Sequence, residues 1–192
     1  MKIDFDIDID LADRSKLLGN LPHVPASIYR NGEWVKHNSG VYLQAMPANP
    51  ANGTAVMDYR DAAQQGFFKL DLLNIHVYQQ VRDEQHLLAL MNTEPLWELL
   101  TSRDFVDQVI HINGHYDTIA AMPEPVSSID HLAMLLAIIR PSKRHLIGLP
   151  WSQIERTVWI PPADGGYHFK RSHSYAYSHL VAVHINLICE TI

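Results

Sequence analysis

From Ile3 to Asp10, apolar and acidic residues alternate strictly. Successive side chains of a strand point to opposite faces. The pattern predicts a strand whose Ile3, Phe5, Ile7 and Ile9 face a core. Asp4, Asp6, Asp8 and Asp10 would then line the other side. Residues 11–18 suit one or two helical turns, stopped at Gly19-Asn20. Two apolar-aromatic runs, 26–30 and 33–36, flank Asn31-Gly32, a dipeptide that favours a tight hairpin. Residues 41–46 read as a further strand, 47–54 as a Pro/Asn/Gly loop and 55–59 as a short strand. The run 67–73 holds one basic and one acidic residue among apolar ones, and predicts a buried strand.

From residue 74 the period changes. Ile75, Tyr78, Val81, Leu87, Leu88 and Met91 fit a helix of several turns. Residues 96–100 and 105–110 read as shorter helical pieces. Ser127 or Ser128 caps a helix reaching Ile139, with Asp130 in its first turn and Pro141 closing it. A last helix spans about 172–189. A β-rich part (1–73) followed by a helix-rich part (74–192), packed as one compact unit, predicts an α+β fold.

Four carboxylates on one strand face repel one another and call for cations. Divalent metal is one remedy, since Mg²⁺ favours carboxylate oxygen. An exposed edge strand, charged against aggregation, is the other reading. At 192 residues and 47% hydrophobic, the chain suffices for a real core. No apolar run nears the roughly 20 residues of a membrane span, and acidic residues from position 4 exclude a signal peptide. One cysteine, Cys189, excludes an internal disulfide and fits a reducing cytoplasm. The formal charge of −6 weighs against a protein living mainly on phosphate contacts. The twelve histidines are scattered, and His111 and His115 flank an Asn-Gly turn, so a structural zinc site is not expected.

Five segments, in order, resemble the catalytic core of the bacterial DNA polymerase III alpha subunit, a family C replicative polymerase. Asp4 to Ile9 (DFDIDI) resembles the palm strand PDxDxDF, with Ile3 in place of the proline. His37 to Val41 (HNSGV) is similar to HAGGVV, and Gly66 to Asn74 (GFFKLDLLN) to GLVKFDFLG. Asp130 to Pro141 resembles the fingers helix that ends ALxRPGP. Tyr167 to Tyr177 (YHFKRSHSYAY) is similar to YGFNKSHSAAY.

The resemblance implies a nucleotidyltransferase-type palm with a mainly antiparallel or mixed sheet, followed by a helix-rich, fingers-like lobe. It implies Asp4, Asp6 and Asp71 as the catalytic, metal-binding triad for two Mg²⁺ or Mn²⁺ ions. Such ions, roughly 3.5–4 Å apart, activate the attacking hydroxyl and stabilise the leaving pyrophosphate. Asp4 and Asp6, two apart, share a strand face. Lys69 shares a face with Asp71 and would approach phosphate. Taken without the other motifs, Lys69 and Asp71 read as a buried ion pair. Candidate nucleotide- or DNA-binding residues are Lys69, His37, Arg140, Lys143, Lys170, Arg171 and His173. Lys143, Arg144, Lys170 and Arg171 are the expected phosphate contacts of the second lobe.

Departures from the family narrow the expectation. Only residues 11–36 separate the acidic strand from His37, and the hairpin fills them, leaving no thumb to grip duplex. The glycine-serine element that holds the incoming triphosphate is not found before the palm strand. Arg140 is followed by Pro-Ser-Lys rather than Pro-Gly-Pro. Three readings follow. One is a reduced core performing metal-dependent nucleotidyl transfer with nucleoside triphosphates and DNA, alone or with a separately encoded replication protein. Another is an inactive polymerase-derived module that binds nucleotide, nucleic acid or a replication protein. The third is a soluble α+β domain whose motifs are only a fold residue.

Overall fold

The structure is a computed structural model that describes residues 7–161 and 169–191. It is α+β and divides into two compact units, Met1–Gln80 and Val81–Ile192. The division falls beyond the expected boundary at 73, because the 3-10 turn His76–Gln80 stays with the first unit.

In the first unit, strands β1 (Ile7–Leu11), β2 (Val24–Arg30), β3 (Glu33–Tyr42) and β4 (Leu70–Asn74) form one mixed sheet in the order β1-β4-β3-β2. The β2–β3 hairpin turns at Asn31 (φ 53°) and Gly32 (φ 85°), the two left-handed positions such a turn demands. No break separates residues 33–36 from 41–42. The hairpin's second strand runs through to Tyr42, where two strands were expected. Residues 55–58 make only isolated bridges. Asp58 then caps an unforeseen helix, α2 (Tyr59–Gln64), by accepting from the Arg60 amide at 2.9 Å. Helix α1 (Arg14–Leu18) is capped by Asp13 and ends at Gly19, as the pattern predicts.

β1 and β4 are neighbours, but parallel, with Ile7 opposite Leu70 and Asp8 opposite Asp71. The sheet is thus mixed, within the mainly antiparallel or mixed arrangement that the resemblance implies. Alternation fixes which side chains share a face and leaves strand direction open. Ile7 and Ile9 are 41% and 37% exposed, so the expected core face of this strand is half open. The cause is position. Among the described residues, β1 is an edge strand with one neighbour. On one sheet face Tyr42 and Ala26 join Met46, Ala55 and Ala62 of α2 in a core. Val41 and Leu72 are buried on the other face.

The second unit is helical. Its helices are α3 (Glu84–Asn92), α4 (Arg103–Val106), α5 (Tyr116–Ala120), α6 (Ile129–Ile138), α7 (Trp151–Val158) and α8 (Arg171–Cys189). The several-turn helix expected from residue 74 is interrupted. A 3-10 turn precedes α3, and Asp83 caps α3 by accepting from His86 N–H at 2.8 Å. Ser128 caps α6 by accepting from His131 N–H at 3.1 Å. Residues from Leu132 to Ile139 are all buried, so α6 is apolar all round and forms the centre of the unit. α8 packs along α6 and α3. Its Ser174 hydroxyl donates to the Ala133 carbonyl at 2.6 Å. Its Asn186 amide closes the end of α3 through the carbonyls of Leu90 and Thr93, each at 2.9 Å. Among the described residues, no helix is long and apolar enough to cross a membrane.

The second unit also carries a pH dependence. His184 of α8 accepts the Ile110 amide on Nδ1 at 3.0 Å, which requires the neutral ring. Burial holds both His184 and His111 below the ordinary histidine range, with Arg140 adding to the effect at His111. A histidine depressed in the folded state adds stability that is full above pH ~6.5. That stability is lost as pH falls through the lowered folded value. The melting temperature is therefore expected to drop between pH 7.5 and 5.5. His184→Asn keeps an acceptor for the Ile110 amide and removes the titration, so it should flatten that drop. Thermal melts followed by circular dichroism measure both.

Candidate active site

The first unit positions a compact polar site at the junction of β3 and β4. Asp71, in β4, is 7% exposed. One of its carboxylate oxygens accepts from the Lys69 ammonium, and the other from the Ser39 hydroxyl at 2.8 Å. The Lys69 ammonium also lies 5.5 Å from the centre of the Tyr59 ring, against which His37 packs edge-on at 5.3 Å. Residue 40 must be small here. A Cβ on Gly40 would fall 2.8 Å from the Lys69 side chain and 3.0 Å from His37 Nδ1.

His37 is a neutral acceptor in this arrangement. Its Nδ1 receives the amides of Gly40 at 2.9 Å and Ser39 at 3.3 Å, which places the ring proton on Nε2. The 3.6 Å approach of Nδ1 to Asp71 is therefore proximity and not an ion pair. Burial lowers the pKa of His37, and the Lys69 charge adds to this, while Asp71 opposes it. Tyr42 lies beneath the site. Its hydroxyl is buried, with no hydrogen-bond partner among the described residues. Burial, then the charges of Asp58 and Asp71, push it up to about 12.

The acidic strand runs alongside. Asp8 is the register partner of Asp71, so the two side chains share a sheet face, and Asp10 follows two residues on. Burial raises the pKa of Asp10, and the Asp8 charge raises it further. The donor set on this face is carboxylate oxygen with no soft ligand, and it carries mutual repulsion. Carboxylate oxygen is the donor type that a hard divalent cation prefers. Asp4 and Asp6, expected with Asp71 as the metal triad, lie outside the described residues, as do Ile3, Phe5 and Tyr167. Among the described residues, no three His, Cys, Asp or Glu side chains gather closely enough to hold a metal ion.

The remaining candidates belong to the second unit. Lys143 is a correction. It is 7% exposed, and its ammonium donates to the carbonyls of Thr157 at 3.0 Å and Ile160 at 2.7 Å. It caps the C-terminal end of α7, where a cation also meets the negative end of the helix, and is not presented to phosphate. Arg144, its neighbour, is exposed, with Nε donating to the Ile139 carbonyl at 3.3 Å. The Arg140 guanidinium lies over Phe169 at 4.9 Å. Arg171 is exposed beside Trp159 and Tyr175, at 5.8 and 5.4 Å. Lys170 is the exposed N-cap residue of α8, and His173 stacks on Phe169 and Tyr177 in its first turns.

Sequence reasoning passed over Ser39, Tyr59 and Asp8 as site residues. Ser39 lies inside the segment from His37 to Val41, and a hydroxyl two residues from a histidine is its only signal. Asp8 is visible in the alternation but lies outside the triad that the resemblance implies. Tyr59 had no signal. Compared with known proteins, the chain matches no family model, no curated protein and no solved structure.

Proposed function

We propose that this chain is a reduced polymerase core. In the cytoplasm it transfers nucleotidyl groups from nucleoside triphosphates to DNA, alone or with a separately encoded replication protein. The observation that carries this reading is the register of β1 on β4. It brings the acidic strand beside Asp71 and its Lys69. Asp71 would hold Mg²⁺ or Mn²⁺ together with Asp4 and Asp6 of the same acidic strand. Bound there, the ions would activate an attacking hydroxyl and stabilise departing pyrophosphate. Lys69 would exchange part of its contact with Asp71 for a phosphate oxygen. Gly40 leaves room for that side chain, and Tyr59 flanks it. Ser39 orients the Asp71 carboxylate.

One observation favours the inactive binding module. Both Asp71 oxygens already have donors within the protein. The two readings separate in one experiment. The protein is incubated with labelled nucleoside triphosphates, a primer-template and Mn²⁺, beside Asp6→Asn. The transferase reading expects incorporation by the parent and a loss of about a hundredfold or more in the variant. Incorporation equal in both would place the activity elsewhere. None in either, with no Mn²⁺ bound by calorimetry, would leave the binding module.

A further inference from the structure

The β2–β3 hairpin carries a face that the carboxylate site does not use. Tyr29 and Trp34 are register partners across it, with ring centroids 5.1 Å apart. They are 54% and 47% exposed. Lys36 stands opposite Ser27, two positions further along, and so shares their face. It is exposed. The face continues into an open cleft of about 560 Å³, lined by Arg14, Ser15, His23, Lys36 and Asn38 among others. Two interactions hold Arg14 there. Its Nη1 donates to the Asn38 carbonyl at 2.6 Å, and its amide to Asn74 Oδ1 at 2.7 Å. His23 is fixed by its Nδ1 contact with the Leu21 carbonyl at 2.9 Å. Among the described residues that line the cleft, none carries a carboxylate. Two cations, Arg14 and Lys36, thus line the cleft beside an exposed aromatic pair, while the Asp13 carboxylate accepts from the cleft residue Ser15 N–H at 2.9 Å.

We propose that this face binds single-stranded nucleic acid. Unpaired bases stack on Tyr29 and Trp34, and the adjoining phosphates enter the cleft at Arg14 and Lys36. The chemistry selects this occupant. Aromatic faces take bases of any sequence, and cations in line with them take the backbone. A free phosphate would leave the rings unused. An apolar peptide would leave the cations unused. A duplex hides the base faces that the rings require. The inference needs neither metal nor a reaction, so it stands or falls separately from nucleotidyl transfer.

The test uses the full chain, a dye-labelled twelve-residue oligothymidylate and EDTA, followed by fluorescence anisotropy. Binding at low salt is expected, with a log–log salt slope of about −1.4 for two phosphate contacts. Tyr29→Ala with Trp34→Ala should weaken it by about tenfold or more. Lys36→Gln should weaken it and reduce the slope by about 0.7. Trp34→Phe, which keeps an aromatic ring in the hairpin, should bind and lose the quenching of tryptophan emission expected of the parent. Any of four results would overturn the proposal. They are no binding by the parent, equal affinity for a duplex, unchanged affinity in the folded double variant, or a dimer of this chain built on the hairpin face.

Discussion

Asp71→Asn should cost this protein stability and, on the proposed transferase reading, activity as well, and the two losses should be separable. The Asp71 and Lys69 side chains are 10% and 15% exposed, so their pairing is largely desolvated. Removing one charge leaves an ammonium that has shed its water and lost its counter-ion. Breaking such a pair costs about 3 kcal/mol or more. Urea unfolding of the full chain should show a lower midpoint for the variant. Replacing both partners, Lys69→Met with Asp71→Leu, should restore much of that midpoint, because matched apolar groups carry no such charge. The activity should not return with it. Under conditions where Asp71→Asn remains folded, the proposed transfer reaction should fall by ~10²–10³-fold, since it would lose a charge that the proposal assigns to transition-state stabilisation. A variant that is destabilised yet fully active would make Asp71 a structural partner of Lys69 and remove it from the chemistry.

Much of this architecture was legible where local chemistry and global packing agree. Asn31-Gly32 supplies the two left-handed residues of the hairpin, and no other reading of that dipeptide competes. Ser128 ahead of an unbroken apolar run marks α6, and the run is buried along its whole length. What stayed hidden depends on tertiary context. The alternation of β1 says which residues share a face. It cannot say that β4 lies parallel, or that an edge position leaves Ile7 and Ile9 half exposed. α2 was masked because Asp58 and Tyr59 sit in a run that reads equally well as a strand. Lys69 and Asp71 pair as their segment reads without the other motifs, a largely buried ion pair. Ser39 and Tyr59 reach them only through the fold.

Lys143 gives the sharpest contrast between the two views. Beside Arg144 it reads, from the sequence, as an expected phosphate contact of the second lobe. The 3-10 turn Pro141–Leu146 puts the two side chains in different surroundings, Lys143 buried and Arg144 exposed. Lys143→Met keeps the length and apolar stem of the side chain and removes the ammonium. The carbonyls of Thr157 and Ile160 then lose a charged donor in a region from which water is largely excluded. Hydrogen bonds to charged groups contribute about 1.5–3 kcal/mol each, so a loss of about 3 kcal/mol is expected, within the second unit. Nucleic-acid binding and its salt slope should stay as in the parent, because the ammonium does not face solvent. Lys36→Gln should do the reverse, leaving the unfolding midpoint in place and weakening binding. Chemical denaturation and anisotropy on the same two variants read both effects. Weakened binding by a folded Lys143→Met protein, at an unchanged unfolding midpoint, would return Lys143 to the phosphate contacts.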